Sequence, residues 1–170
     1  MKLLVRNLLF VLLMPGTVVA WAPLAIVYLN HWGWPSLGLP GVAALGCILG
    51  GAWICGWCVR DFAVKGQGTP APIDPPKNLV VSGLYRYTRN PMYLGVLMIL
   101  LGEAVLWRSG VLLIYSGCFF LVVNLFVLGY EEPHLLKTFD ARYEEYCARV
   151  SRWFPLRGIY RGLCKHIPEK

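Results

Sequence analysis

Charge is scarce in this chain. Of 170 residues, nine are Asp or Glu and sixteen are Lys or Arg, while 57% are hydrophobic. With a mean hydropathy of +0.55, that shortage excludes an ordinary soluble domain of this size and points to a membrane protein. Cysteine in a ligand pattern is also lacking. The six cysteines are scattered apart from Cys55-Gly56-Trp57-Cys58, and no second Cys/His pair has zinc-ligand spacing. A redox C-x-x-C belongs at the start of a helix in a soluble βαβ setting, where the dipole lowers the thiol pKa. Here the pair ends an apolar run, so it reads as buried thiol packing in a reducing compartment. Nothing resembles an RNA- or DNA-binding module. The net charge of +7 therefore reads as positive-inside bias and attraction to lipid headgroups.

What is present is apolar length. A spanning helix needs about 20 mainly apolar residues, and the stretches 7–29, 37–59, 92–107 and 111–130 qualify, the third being short. The expected fold is an all-α polytopic membrane protein with about four transmembrane helices. The first stretch carries Pro15-Gly16 and Pro23, which predict a kink. It has no convincing small-residue cleavage site, so it is expected to be a retained span rather than a signal peptide. Gly41, Gly46, Gly50, Gly51 and Gly56 in the second stretch predict close helix packing.

Lys and Arg accumulate on the cytoplasmic side. Lys2 and Arg6 precede the first span, and the connection 30–36 is uncharged. The connection after the second span carries Arg60, Lys65, Lys77, Arg86 and Arg89, and the tail from Lys137 to Lys170 carries eight basic residues. Only Arg108 falls on the other side. Both termini are expected to be cytoplasmic, which in a prokaryote means the cell (inner) membrane.

Residues 60–82, rich in Gly, Pro, Lys and Asp, read as a long loop. It leads into S-G-L-Y-R-Y-T-R-N-P-M-Y over 82–93. Asn90 followed by Pro91 is a helix-start signal, with Asn as a side-chain cap. The N–H groups beyond it make an anion site, unless Arg86 and Arg89 merely anchor the helix to lipid headgroups. Arg108-Ser109-Gly110 forces spans three and four into an antiparallel hairpin, which brings Glu131-Glu132 beside residues 90–93. The fourth helix would be longer by about 6 Å, a mismatch that tilt can absorb. Two acids at a helix C-terminus oppose its dipole, so either Arg86, Arg89 or Lys77 pairs with them or a cationic ligand does. Glu103 is expected to snorkel or to pair with Arg108. After Pro133, the spacing of Leu135, Leu136, Phe139, Tyr143, Tyr146 and Val150 predicts one amphipathic helix, ended by Trp153-Phe154-Pro155. His134 reads as a surface residue.

These pieces in order, L-V-V-S-G-L-Y-R-Y-T-R-N-P-M-Y, a hydrophobic hairpin, E-E, L-L-K-T-F-D-A-R-Y-E-E-Y and R-W-F-P, resemble the isoprenylcysteine carboxyl methyltransferase and phospholipid methyltransferase superfamily of integral membrane enzymes. The resemblance covers roughly residues 77–155, about half of the chain. It implies one membrane domain: scaffold helices over 1–59, a cytoplasmic cofactor loop over 60–91, the hairpin over 92–130 and an amphipathic tail over 131–170. It also implies an S-adenosylmethionine-dependent methyltransferase with a lipophilic acceptor: an isoprenoid, a prenylcysteine-like molecule or a lipid headgroup. By position, the implied cofactor contacts are Lys77, Asn78, Leu79, Val80, Tyr85, Asn90, Pro91, Met92, Tyr93 and Glu131, with Gln67 from the preceding loop. An amine or thiol acceptor must lose a proton, for which Glu132 or a tyrosine is the candidate.

Two positions depart from the family pattern. Asn90 stands where many relatives have His. Val127 stands where the eukaryotic prenylcysteine enzymes have a substrate-engaging Arg. A membrane sterol-type reductase using NADPH and a non-enzymatic four-helix membrane protein remain the alternatives.

Overall fold

The computed structural model describes residues 16–30, 35, 38–66 and 78–154. The beginning of the expected first span, Gln67, Lys77 and the tail from Pro155 lie outside them. All regular structure among the described residues is helical. Helix α1 (Ala22–Leu29) continues a π turn, Thr17–Trp21, and α2 (Leu39–Asp61) runs on through a π turn, Phe62–Gly66. A 3-10 turn, Gly83–Arg86, precedes α3 (Pro91–Leu106). Then come α4 (Gly110–Phe126), a π turn over Val127–Glu131, α5 (Glu132–Phe139) and α6 (Ala141–Arg149). Two continuous apolar rods, Leu39–Gly66 and Gly110–Phe139, are long enough to cross a membrane, with mean hydropathies of 1.9 and 2.5. Thr17–Leu29 and Pro91–Leu106 are shorter.

Close packing of α2 on α3 sets the frame, and two glycines make it possible. A Cβ on Gly51 would collide with the carbonyl oxygen of Gly95, and one on Gly95 would lie 2.9 Å from both Cys55 Sγ and Gly51 O. Only backbones without side chains fit at that crossing. Next to it, the Cys55 thiol donates to Met92 O at 3.6 Å, while Cys58 is fully buried against Val80 and Tyr85. Both cysteines are free thiols that fill helix interfaces.

The turn between α3 and α4 uses a left-handed Arg108 (φ 48°). Ser109 caps α4, its Oγ accepting from Leu112 N at 3.0 Å. The hairpin expected from Arg108-Ser109-Gly110 is therefore present. At that end Val27, Ala104 and Leu112 form a small core. At the opposite end Cys58, Val80 and Tyr85 form another, with Phe62 and Met92 against it. Outward, Leu39, Val42, Leu49 and Trp53 of α2 and Leu113, Ile114, Leu121, Val122 and Leu125 of α4 are exposed, a lipid-facing belt. Glu103 does not pair with Arg108; its Oε2 has no hydrogen-bond partner among the described residues.

Several expectations from the sequence are corrected here. The loop over 60–82 begins later, since helical structure persists to Gly66. The fourth helix does not end at Glu131-Glu132, just ahead of Pro133. The π turn before it shifts the hydrogen-bond register, so Glu132 N–H donates to Val127 O five residues back, and the proline sits in the first turn of α5, where its missing N–H matters least. The fourth helix is thus longer than the sequence suggests. It runs eight residues past Glu131, an overhang of about 12 Å.

Nor is the amphipathic segment one helix. It breaks at Asp140, whose backbone (φ 44°, ψ −129°) turns the chain sharply between α5 and α6. That conformation is strained for any residue with a Cβ, and the Asp140 side chain makes no capping hydrogen bond. Asp140→Gly is expected to stabilise the protein by about 1 kcal/mol, read as a raised melting temperature in detergent.

Candidate functional site

The overhang of α4 into α5 creates a cavity that the short α3 cannot fill. Its empty space, open mouth included, is about 840 Å³. Five segments enclose it. Phe62 closes α2, Leu79, Val80 and Tyr85 come from the segment before α3, and Arg89, Asn90 and Tyr93 come from the start of α3. Phe126, Val127, Tyr130, Glu131, Glu132, His134 and Leu135 line it from the α4–α5 rod, and Tyr143 and Tyr146 from α6.

The convergence of the two hairpin ends is realised. Tyr93 Oη donates to Glu131 Oε2 at 3.0 Å across the helices. One residue on, Glu132 is held by two guanidiniums: Arg89 Nη1 lies 3.0 Å from Oε1, and Arg152 donates through Nε and Nη2 at 2.7 Å each. These side chains are 7–16% exposed, so the cluster is a largely buried, charge-assisted fork. The rod continues beyond both acids, so they sit within a helix rather than at its C-terminus, and no dipole cost arises at their position. Both oxygens of Glu132 are committed to ion pairs, an arrangement suited to holding the tail in place.

Arg152 belongs to a strap that fastens the start of α3. Arg89 N donates to Ser151 O at 3.0 Å. Thr88 Oγ1 and Asn90 Nδ2 donate to Arg152 O at 3.0 and 3.1 Å. Asn90 is therefore at the N-cap position, but its side chain caps nothing and holds the strap instead, a correction to the helix-start reading. Trp153 then inserts beside α4. Its Nε1 donates to Asn124 Oδ1 at 2.9 Å, and its ring lies 5.1 Å from Phe120 and 6.5 Å from Tyr93.

Phenols form much of the wall. Tyr146 Oη donates to the Tyr85 carbonyl at 2.6 Å, and Phe62 meets the Tyr85 ring edge-on at 5.5 Å. Burial pushes the phenols of Tyr85, Tyr143 and Tyr146 well above their ordinary range. They remain neutral and present ring faces and hydroxyl groups, not phenolates.

Of the residues singled out from the sequence, Leu79, Val80, Tyr85, Asn90, Tyr93, Glu131 and Glu132 line the cavity together. Asn78 is exposed and bonds Gly66 O through its backbone at 3.4 Å. Pro91 and Met92 pack beneath the cavity without lining it. Phe126, Tyr130 and His134 were missed. Their four-residue spacing was the available signal, and they stack in sequence, Phe126 on Tyr130 at 5.3 Å and Tyr130 on His134 at 5.9 Å with rings 2° from parallel.

The donor set fits a zwitterionic sulfonium compound. Neutral aromatic faces attract a cation, and Glu131 can accept from an ammonium or a hydroxyl group. In comparisons with known proteins, the family model described as phospholipid methyltransferase matches residues 40–142, more than half of the chain. No curated protein and no solved structure matches.

Proposed function

The chain belongs to the phospholipid methyltransferase family, and on that premise we propose that it is an integral membrane S-adenosylmethionine-dependent methyltransferase. Its acceptor is lipophilic, an isoprenoid, a prenylcysteine-like molecule or a lipid headgroup, reached at the cytoplasmic face. The observation that carries this reading is the Tyr93–Glu131 hydrogen bond across the hairpin, inside a cavity walled by neutral tyrosines.

When bound, the cofactor supplies a methyl group carried on a sulfonium. Glu131 orients its amino or ribose groups, Tyr93 keeps that carboxylate in place, and Tyr85 offers a ring to the positive charge. Asn90, Pro91 and Met92 begin the helix whose N–H groups take the carboxylate, and Leu79 and Val80 give an apolar wall. Gln67, Lys77 and Asn78 contribute from the preceding loop. Displacement at a methyl group needs alignment and exclusion of water more than a protein nucleophile, and a cavity lined by Phe62, Phe126, Val127 and Leu135 suits that demand. Glu132, proposed from sequence as the proton acceptor, is better suited to anchoring the strap. Val127 offers no charge to an acceptor carboxylate, which favours an acceptor without one.

The test is equilibrium binding to the detergent-purified full chain. S-adenosylmethionine is expected to bind and NADPH is not, and Tyr93→Ala is expected to weaken the former about tenfold or more. NADPH binding in its place would support the reductase reading. Labelled-methyl transfer into a lipid extract then identifies the acceptor.

A further inference from the structure

An amine acceptor arrives protonated at neutral pH, and its nitrogen has no free lone pair until a base takes a proton. The cavity offers few candidates. Glu132 is occupied by Arg89 and Arg152, Glu131 accepts from Tyr93, and the tyrosines are neutral hydrogen-bond donors. The remaining group is His134. Its ring lines the cavity, lies parallel to Tyr130, and belongs to an exposed residue at the mouth, where a proton can leave to water. Stacking fixes the plane of the imidazole while both ring nitrogens point outward from the contact.

We propose that His134 is a catalytic residue, the proton acceptor for an amine headgroup delivered along the Phe126–Tyr130–His134 column. This rests on the methyltransferase reading above. An imidazole nitrogen takes one proton from the ammonium, leaving a neutral amine. The amine lone pair forms the new N–C bond to the methyl carbon as the C–S bond breaks, and that bonding pair returns to sulfur, leaving a neutral thioether. The N-methylated product is an ammonium ion, and the imidazolium passes its proton to water. The charged and titratable groups that line the cavity with His134 are Glu131 and Glu132 on its own rod, Tyr130 stacked on it, Arg89, Tyr85 and Tyr93 before and in α3, and Tyr143 and Tyr146 of α6, and Lys137 stands one turn further along α5.

The experiment compares wild-type protein with His134→Gln, using labelled S-adenosylmethionine and short-chain phosphatidylethanolamine across pH. The expected result is a loss of about a hundredfold at neutral pH. The gap should narrow as pH rises and the free amine forms unaided, and added imidazole should restore part of the rate. Affinity for S-adenosylmethionine should stay within twofold. Independently of turnover, the His134 imidazole NMR signals, assigned by their absence in the variant, should shift with short-chain phosphatidylethanolamine and not with phosphatidylcholine of the same chain length. A variant rate equal to wild type, a loss of the same factor at every pH, or a silent NMR titration overturns the role of His134. Wild-type protein that fails to bind S-adenosylmethionine overturns the methyltransferase reading and this proposal with it.

Discussion

Glu131→Ala is expected to weaken S-adenosylmethionine binding by roughly a hundredfold and to lower methyl transfer with it, while the protein stays folded. Its carboxylate accepts from Tyr93 at 3.0 Å, and a hydrogen bond to a charged group contributes about 1.5–3 kcal/mol. Removing it takes away the proposed contact to the cofactor and also leaves the Tyr93 hydroxyl without its acceptor. Tyr93→Phe keeps the ring and deletes only the donor, so its cost should be about tenfold or less. Because the two groups act as one unit, the double variant should be little worse than Glu131→Ala alone. Calorimetric titration of all four proteins measures this. Additive losses would mean that the two side chains act separately, and unchanged affinity in Glu131→Ala would remove it from the site.

The other large effect concerns assembly. Gly51→Val should prevent the hairpin from seating on α2, because the obstacle is the Gly95 carbonyl and not a side chain that can swing away. Overpacking a core costs about 1–3 kcal/mol, and a clash between backbones belongs at or beyond the upper end of that range. Gly95→Val should do the same from the other side, against Cys55 Sγ and Gly51 O. Gly46 and Gly56 lie on the same helix, yet a Cβ there meets nothing within 4 Å. Ala at those positions should be tolerated. Size-exclusion profiles and thermal melts of the four variants separate a specific crossing point from a general need for small residues.

The sequence made the hairpin legible because three polar residues between two apolar runs leave the chain no other route. The same geometry predicted that Glu131 and Glu132 meet residues 90–93. What it did not reveal follows from tertiary contacts that local patterns do not encode. Glu131-Glu132 read as a helix end, and the π turn over Val127–Glu131 lets the rod continue past them. Asn90 reads as a cap because its side chain can bond the next turn, yet Arg152 O offers a partner 62 residues away. His134 reads as a surface residue since its companions in the column are recognised only once that rod is continuous. Tyr143 and Tyr146 were legible as one face of a helix, but not as a cavity wall, because amphipathic spacing says which side is buried and not against what.

The strap over 151–153 also bears on the order in which the site comes into being during synthesis. Among the described residues the apolar helices are complete by Phe139, ahead of the strap in the order of synthesis. Glu132 then has only Arg89, and the start of α3 lacks the carbonyls that receive Arg89 N, Thr88 and Asn90. Those ties form only once Ser151 and Arg152 have left the ribosome. The helices that wall the cavity therefore precede, in the order of synthesis, the strap that fastens the start of α3.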